Sequence, residues 1–190
     1  NTIMDTIRNI LQLVRWSNLF FLGALVYVMD KWVVSYVLDT NMFYGQGLPW
    51  YLLLLIAAAT ILIAAGGYVI NDYFDIKIDR INRPDQLIVS QYISKKSAMR
   101  LSICLSGVGI VCGLVAAWLL RSSTIGILFI IIPGLLWFYS SSYKRLLIIG
   151  NVTIALLSAL SIIMVAIANV AQLQLLYGDI LSYTSLEHDI

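Results

Sequence analysis

The sequence predicts an all-α protein, a polytopic transmembrane helical bundle with about five spanning helices. Three observations lead there. Hydrophobic residues make up 61% of the 190 positions and charged residues 12%, with a mean hydropathy of +0.90; soluble domains carry about a quarter charged residues. Charge-free runs recur at the length that crosses a bilayer, about 20 residues. Lysine and arginine are concentrated in alternate connections, the pattern that sets membrane topology.

Taken in order, the first span runs from Trp16 to Met29 and is lengthened on its amino-terminal side by Ile10, Leu11, Leu13 and Val14. It has no clear small-residue cleavage site and opens with polar Ser17 and Asn18, so it is not read as a signal peptide. Asp30 to Pro49, containing "DTNMFYGQGLP", is turn-rich and reads as an exposed loop. The second span is Tyr51 to Ile70; Gly66 and Gly67 near its end allow either a close helix approach or a hinge. A basic connection from Lys77 to Lys96 follows, in which Pro84 ends any helix entering it.

Leu101 to Leu120 is the third span. Its Cys104 and Cys112 read as packing residues and not as a redox pair. Ser122 to Tyr143 is the fourth span and Leu146 to Gly178 contains the fifth, where Asn169, Gln172 and Gln174 mark interhelical hydrogen bonds or the outer interface. Trp32, Tyr36, Trp50, Tyr51, Trp118, Trp137 and Tyr139 gather near span ends as interfacial anchors do. No charged residue is expected within a span. His188, the single histidine, reads as an exposed tail residue.

Ten basic residues (Arg8, Arg15, Lys77, Arg80, Arg83, Lys95, Lys96, Arg100, Lys144 and Arg145) fall on one side of this topology, against Lys31 and Arg121 on the other. The positive-inside rule therefore expects an integral membrane protein of the cell's inner or plasma membrane, with its amino terminus and both basic loops in the cytoplasm.

The carboxylates after the second span carry the chemistry. If Asn71 to Asp79 continues that helix, then at 100° per residue Asn71, Asp72, Asp75 and Asp79 share an arc of about 100°, along roughly 12 Å of axis. Like charges at such neighbouring positions repel, and acids near a helix carboxyl end oppose the macrodipole by about 0.3–1 kcal/mol each. A one-sided stripe of this kind predicts that something positive sits against it. Oxygen donors alone favour a hard cation, and Mg²⁺ characteristically takes one or two carboxylates together with phosphate oxygens and water. The spacing does not fit a calcium hand. The plainer reading is a solvated helix end paired with Lys77, Arg80 and Arg83.

"NDYFDIKIDRINRPD" (Asn71 to Asp85) resembles the first aspartate motif of the UbiA superfamily of membrane prenyltransferases, which runs N-D-x-x-D-x-x-x-D and often continues into N-R-P-D. "YSSSYKR" (Tyr139 to Arg145), followed by Gly150 and Asn151, and "RWSN" (Arg15 to Asn18) resemble two further stretches of that family. The charge count places all three stretches on one membrane face. The resemblance implies that Asn71, Asp72, Asp75 and Asp79 hold Mg²⁺ bridging the diphosphate of an isoprenoid donor. It also implies that Lys144 and Arg145 assist the leaving diphosphate, and that Arg15, Asn18, Asn71, Asn82, Arg83 and Tyr139 bind substrate.

The activity implied is Mg²⁺-dependent transfer of an isoprenoid chain from an allylic diphosphate to a lipid-soluble or phosphoglyceryl acceptor, with membrane lipid as surroundings and no nucleic acid. The long motif is similar to members that alkylate geranylgeranylglyceryl phosphate, and also occurs among quinone-precursor prenyltransferases. Two departures stand out. Gln86 and "LIVSQ" replace the Arg and "PSG" that many members carry after N-R-P-D. The family also has about nine helices and a second aspartate motif, which Asp179, Glu187, His188 and Asp189 do not supply. Residues 1–190 are thus expected to be a single transmembrane prenyltransferase domain truncated at its carboxyl end. An inactive scaffold and a cation-coupled transporter are the rival functions; a transporter predicts charges near mid-span.

Overall fold

Five helices in the computed structural model are long and apolar enough to cross a membrane: Trp16–Thr40, Trp50–Asn82, Lys95–Leu119, Ser123–Ser141 and Ala155–Gly178. The structure describes residues 3–40, 47–82, 84–142 and 147–187, with backbone alone at 86, 147–151, 153, 154 and 179–187. The candidate residues Arg83, Lys144, Arg145 and His188 lie outside the described residues, as does the 41–46 stretch of the expected loop. No strand forms among the described residues. This is an all-α integral membrane protein.

The helices are α1 (Ile3–Leu13), α2 (Trp16–Val28), a π-helical turn (Met29–Val34), α3 (Ser35–Thr40), α4 (Trp50–Asn82), α5 (Lys95–Leu119), α6 (Ser123–Ser141) and α7 (Leu147–Glu187). Ser94 caps α5 by accepting the Ser97 N–H at 3.1 Å, and Ser122 caps α6, each satisfying an amide that has no partner inside its helix. As expected, α4 runs unbroken through the acidic stripe and ends just before Pro84.

Lipid is as apolar as a leucine side chain, so membrane helices associate by close packing and polar contacts more than by the hydrophobic effect. The α4–α5 seam follows that rule. A side chain at Gly66 would collide with Ser106 and stand 3.0 Å from the Ser102 carbonyl; one at Gly109 would stand 2.8 Å from Ile63. Ser102 Oγ donates to the Gly66 carbonyl at 2.9 Å. Gly66 therefore serves close approach of α5, while Gly67 faces Leu136 of α6.

Two buried clusters result. The larger runs through the bundle and includes Leu52, Ile56, Phe129, Met164 and Val165. The smaller lies around the acidic end of α4, where Leu13, Val69 and Ile76 pack with Leu87, Ile88, Val89 and Ala98. "LIV" of the divergent "LIVSQ" stretch is thus a plug of core residues that folds the connection back onto α4.

The first span departs from expectation in direction. Arg15 adopts a left-handed conformation (φ 54°, ψ 55°) and breaks the chain into an elbow, so Ile10 to Val14 belong to a separate helix end and not to the span. The span instead extends forward to Thr40, through residues expected to form a loop. Asp30 and Lys31 consequently lie inside a span, contrary to the expectation that spans carry no charge. They are accommodated because they neutralise each other: Lys31 Nζ stands 2.9 Å from Asp30 Oδ2 and donates to the Leu48 carbonyl at 3.0 Å. Asp30, fully buried, accepts on Oδ1 from the Leu48 N–H at 3.3 Å and from Asn169 Nδ2 at 2.9 Å. Asp30 Oδ2 has no aligned hydrogen-bond donor among the described residues; its contact with Lys31 is electrostatic. Asn169 thus makes the interhelical hydrogen bond its sequence position suggested.

Candidate functional site

The last three turns or so of α4 present two faces. Asn71, Asp72, Asp75 and Asp79 are half-buried on one stripe, Lys77, Ile78 and Arg80 are exposed, and Ile76 enters the small core. Asn71 Nδ2 donates to Asp75 Oδ2 at 3.0 Å. Arg15 reaches across from the elbow, its Nη2 3.1 Å from Asp72 Oδ1 and its guanidinium 4.9 Å from the centre of the Tyr68 ring. Asp72 feels both the attraction of Arg15 and the repulsion of Asp79.

The three carboxylates stand in file and do not converge on one point: among the described residues no group of three acidic, histidine or cysteine side chains is gathered closely enough to hold a metal by itself. Steps of three and four residues advance about 4.5 and 6 Å along a helix, so a shared face does not bring the oxygens together, and Arg15 engages the first of them. The donor set still fits Mg²⁺, whose sites typically combine one or two carboxylates with substrate phosphate and water in place of an all-protein cage.

Beside the stripe, α2, α4, α6 and α7 enclose a cavity of about 650 Å³. Arg15, Asn18, Tyr68, Asn71, Tyr139 and Ser140 form its polar part, and Phe21, Ile63, Leu136, Phe129 and Met164 are among its apolar walls. Asn71 is the member of the stripe that lines it; the aspartates follow over the next two turns of α4. Arg15, Asn18, Asn71 and Tyr139, drawn from three separated stretches of sequence, thus meet at one cavity. Asn82, by contrast, sits exposed at the last residue of α4, beyond the cavity.

Several contributors escaped the sequence reading. Tyr68 lies one turn before Asn71 and Asp72 on their face, a spacing that was available to find it. Ser158 and Ser161 line the cavity from α7, and their three-residue spacing is a weaker signal. Buried Ser140 adjoins Tyr139 in the quoted motif.

An apolar chamber inside a helical bundle, headed by an arginine and an amide and continued by a file of carboxylates, defines a membrane protein with a half-apolar, half-charged candidate binding site. The UbiA prenyltransferase family profile matches residues 32–183. Digeranylgeranylglyceryl phosphate synthase of Saccharolobus solfataricus is 35% identical over 161 residues, 83% of this chain and 50% of that one. The enzyme of the same name from Sulfolobus acidocaldarius is 43% identical over 100 residues, 53% of this chain and 34% of that one. A solved structure reported for digeranylgeranylglyceryl phosphate synthase in membranes superposes with a TM-score of 0.69 at 26% identity, covering 86% of this chain and 53% of that one. The chain belongs to the UbiA prenyltransferase family, and it spans about half the length of the relatives it matches most fully.

Proposed function

We propose that this chain carries the donor-binding part of a Mg²⁺-dependent membrane prenyltransferase, which transfers a geranylgeranyl chain from its diphosphate to geranylgeranylglyceryl phosphate. The observation that carries the reading is the continuity of the acidic stripe with an apolar cavity through Asn71. The acceptor follows the relatives' shared name; an aromatic quinone precursor is the second choice.

In this mechanism Asp72, Asp75 and Asp79, with Asn71, are the residues that would hold Mg²⁺ together with the donor diphosphate. The chemistry a bound Mg²⁺ would supply is Lewis-acid stabilisation of charge on the departing diphosphate. Arg15 orients Asp72 and sets the position of the first carboxylate. Lys144, Arg145 and Arg83 contribute positive charge to the leaving group. The isoprenoid chain occupies the cavity, where Phe21, Ile63 and Leu136 exclude water that would capture an allylic cation as an alcohol. Tyr68 and Tyr139 offer ring faces to that cation. The basic loops face the cytoplasm, following the charge count, where a soluble diphosphate head is accessible.

The test is an assay of purified protein with labelled geranylgeranyl diphosphate and geranylgeranylglyceryl phosphate, with and without Mg²⁺. The expected result is Mg²⁺-dependent product that disappears in Asp75→Asn/Asp79→Asn. Product formation that survives the double substitution removes the assignment. Absence of product together with absence of donor binding in the unsubstituted chain supports the scaffold reading.

A further inference from the structure

We propose that the elbow between α1 and α2 is a second anion site, a groove that seats the phosphate head of a membrane-resident phospholipid; resting on the function proposed above, that lipid is the acceptor. The groove measures about 640 Å³. Its apolar side is Met4, Ile7, Leu11 and Trp16, all exposed. Its polar side is formed by Arg8 and Arg15 together with Gln12, Ser17 and Asn18. Among the described residues no carboxylate lines it.

Three features select the occupant. First, the walls are two-sided, so a free anion satisfies only half of them, whereas an amphiphile with a chain and a phosphate satisfies both. Second, two guanidiniums match a doubly ionisable phosphate monoester better than a zwitterionic head, because planar forks bind phosphate oxygens in pairs. Exposed Trp16, next to the elbow, is the residue type that marks headgroup depth. Third, Arg15 and Asn18 line this groove and the central cavity alike, so a lipid head in the groove lies beside the cavity's polar end. Arg15 spends one contact on Asp72 and retains further N–H donors of its five.

The backbone points the same way. Arg15 occupies a left-handed conformation that glycine or asparagine adopts with less strain, and strained residues cluster at ligand clamps. Leu13, fully buried in the smaller core, fixes the carboxyl end of α1 and so holds Arg8 and Arg15 on one groove.

The test uses the full chain in phosphatidylcholine nanodiscs, titrated with dodecyl phosphate and followed through tryptophan fluorescence. The unsubstituted protein binds dodecyl phosphate; Arg8→Gln weakens that binding about tenfold, the size of one lost charge-assisted hydrogen bond, and Arg8→Lys recovers part of it. Inorganic phosphate at equal concentration does not displace the probe. In turnover, Arg8→Gln raises the KM for the lipid acceptor and leaves the KM for the diphosphate donor in place. Equal binding by Arg8→Gln and the unsubstituted protein, displacement by inorganic phosphate, or an unchanged acceptor KM each overturn the proposal. Failure of the prenyltransferase reading shows elsewhere, as donor binding indifferent to Asp75→Asn/Asp79→Asn, and leaves the dodecyl phosphate comparison interpretable.

Discussion

Two polar clusters lie in this apolar bundle, one on the carboxyl end of α4 and one where the first span meets α7, and they follow opposite plans. Around Asp30 the described residues pack closely. The carboxylate is fully buried, Lys31 neutralises it, Asn169 and the Leu48 amide bond to it, and a side chain at Gly47 would stand 2.7 Å from Ser35 Oγ. Along α4 the carboxylates are only half-buried, lie in file on one helix, and adjoin a cavity of about 650 Å³ through Asn71. Buried charge that is paired and enclosed serves to fix helices. Half-buried carboxylates beside an open chamber, with Arg15 at the first of them, are the arrangement that the proposed ligand site requires. Room, more than charge, separates the two.

That contrast can be broken in several places. The largest effect belongs to the acidic stripe: Asp75→Asn/Asp79→Asn is expected to lower turnover by about a thousandfold or more, corresponding to roughly 4 kcal/mol of transition-state stabilisation. Thermal stability in detergent is expected to stay within about 1 kcal/mol, because half-buried positions outside the core contribute little. A comparable loss of folding stability would move the stripe into the structural category.

Asp30→Ala should show the reverse pattern. It leaves Lys31 without its carboxylate and Asn169 without its interhelical acceptor, its bond to the Val165 carbonyl remaining; breaking a buried pair costs about 3–5 kcal/mol, reduced here because the Lys31 side chain is 34% exposed. A loss of roughly 2–3 kcal/mol in denaturant unfolding is expected, with donor affinity retained in the folded fraction. Donor affinity that collapses without loss of stability would contradict the division.

Gly66→Ala tests the seam between the two clusters. The added methyl meets Ser106 and the Ser102 carbonyl, so overpacking of about 1–3 kcal/mol is expected, read as a lower midpoint in the same unfolding measurement. The smallest effect is Asn169→Leu. It removes one interhelical hydrogen bond, of a kind worth about 0.6 and at most 1.7 kcal/mol in membranes; a loss larger than that of Asp30→Ala would make Asn169 the centre of the cluster.

The two clusters also differ in how far the sequence betrays them. The α4 stripe was legible because its residues lie within nine positions of one another on a regular helix, and helical period alone puts them on one face. Helix rise gave the axial spread of roughly 12 Å as well; what it does not convey is that Arg15 engages the first carboxylate and that Asn71 is the member of the stripe that lines the cavity. Asp30 and Lys31 were taken for loop residues because charge near an apolar run signals a boundary, whereas the partner that makes Asp30 tolerable, Asn169, is 139 residues away. The elbow was hidden for a related reason. Arg15 takes a glycine-like conformation, and no Gly or Pro announces it; the Asp72 ion pair and the Tyr68 ring that engage it are again distant in sequence. Local periodicity is written in neighbours, and exceptions to it are written in partners.

The most direct measurement is the binding of an unreactive geranylgeranyl thiolodiphosphate to the purified chain, with Mg²⁺ or with a chelator present. The account predicts tight binding that requires Mg²⁺ and that Asp75→Asn/Asp79→Asn weakens at least about a hundredfold, a difference near 2.8 kcal/mol. Binding of equal strength with and without Mg²⁺, unchanged by the double substitution, would contradict it.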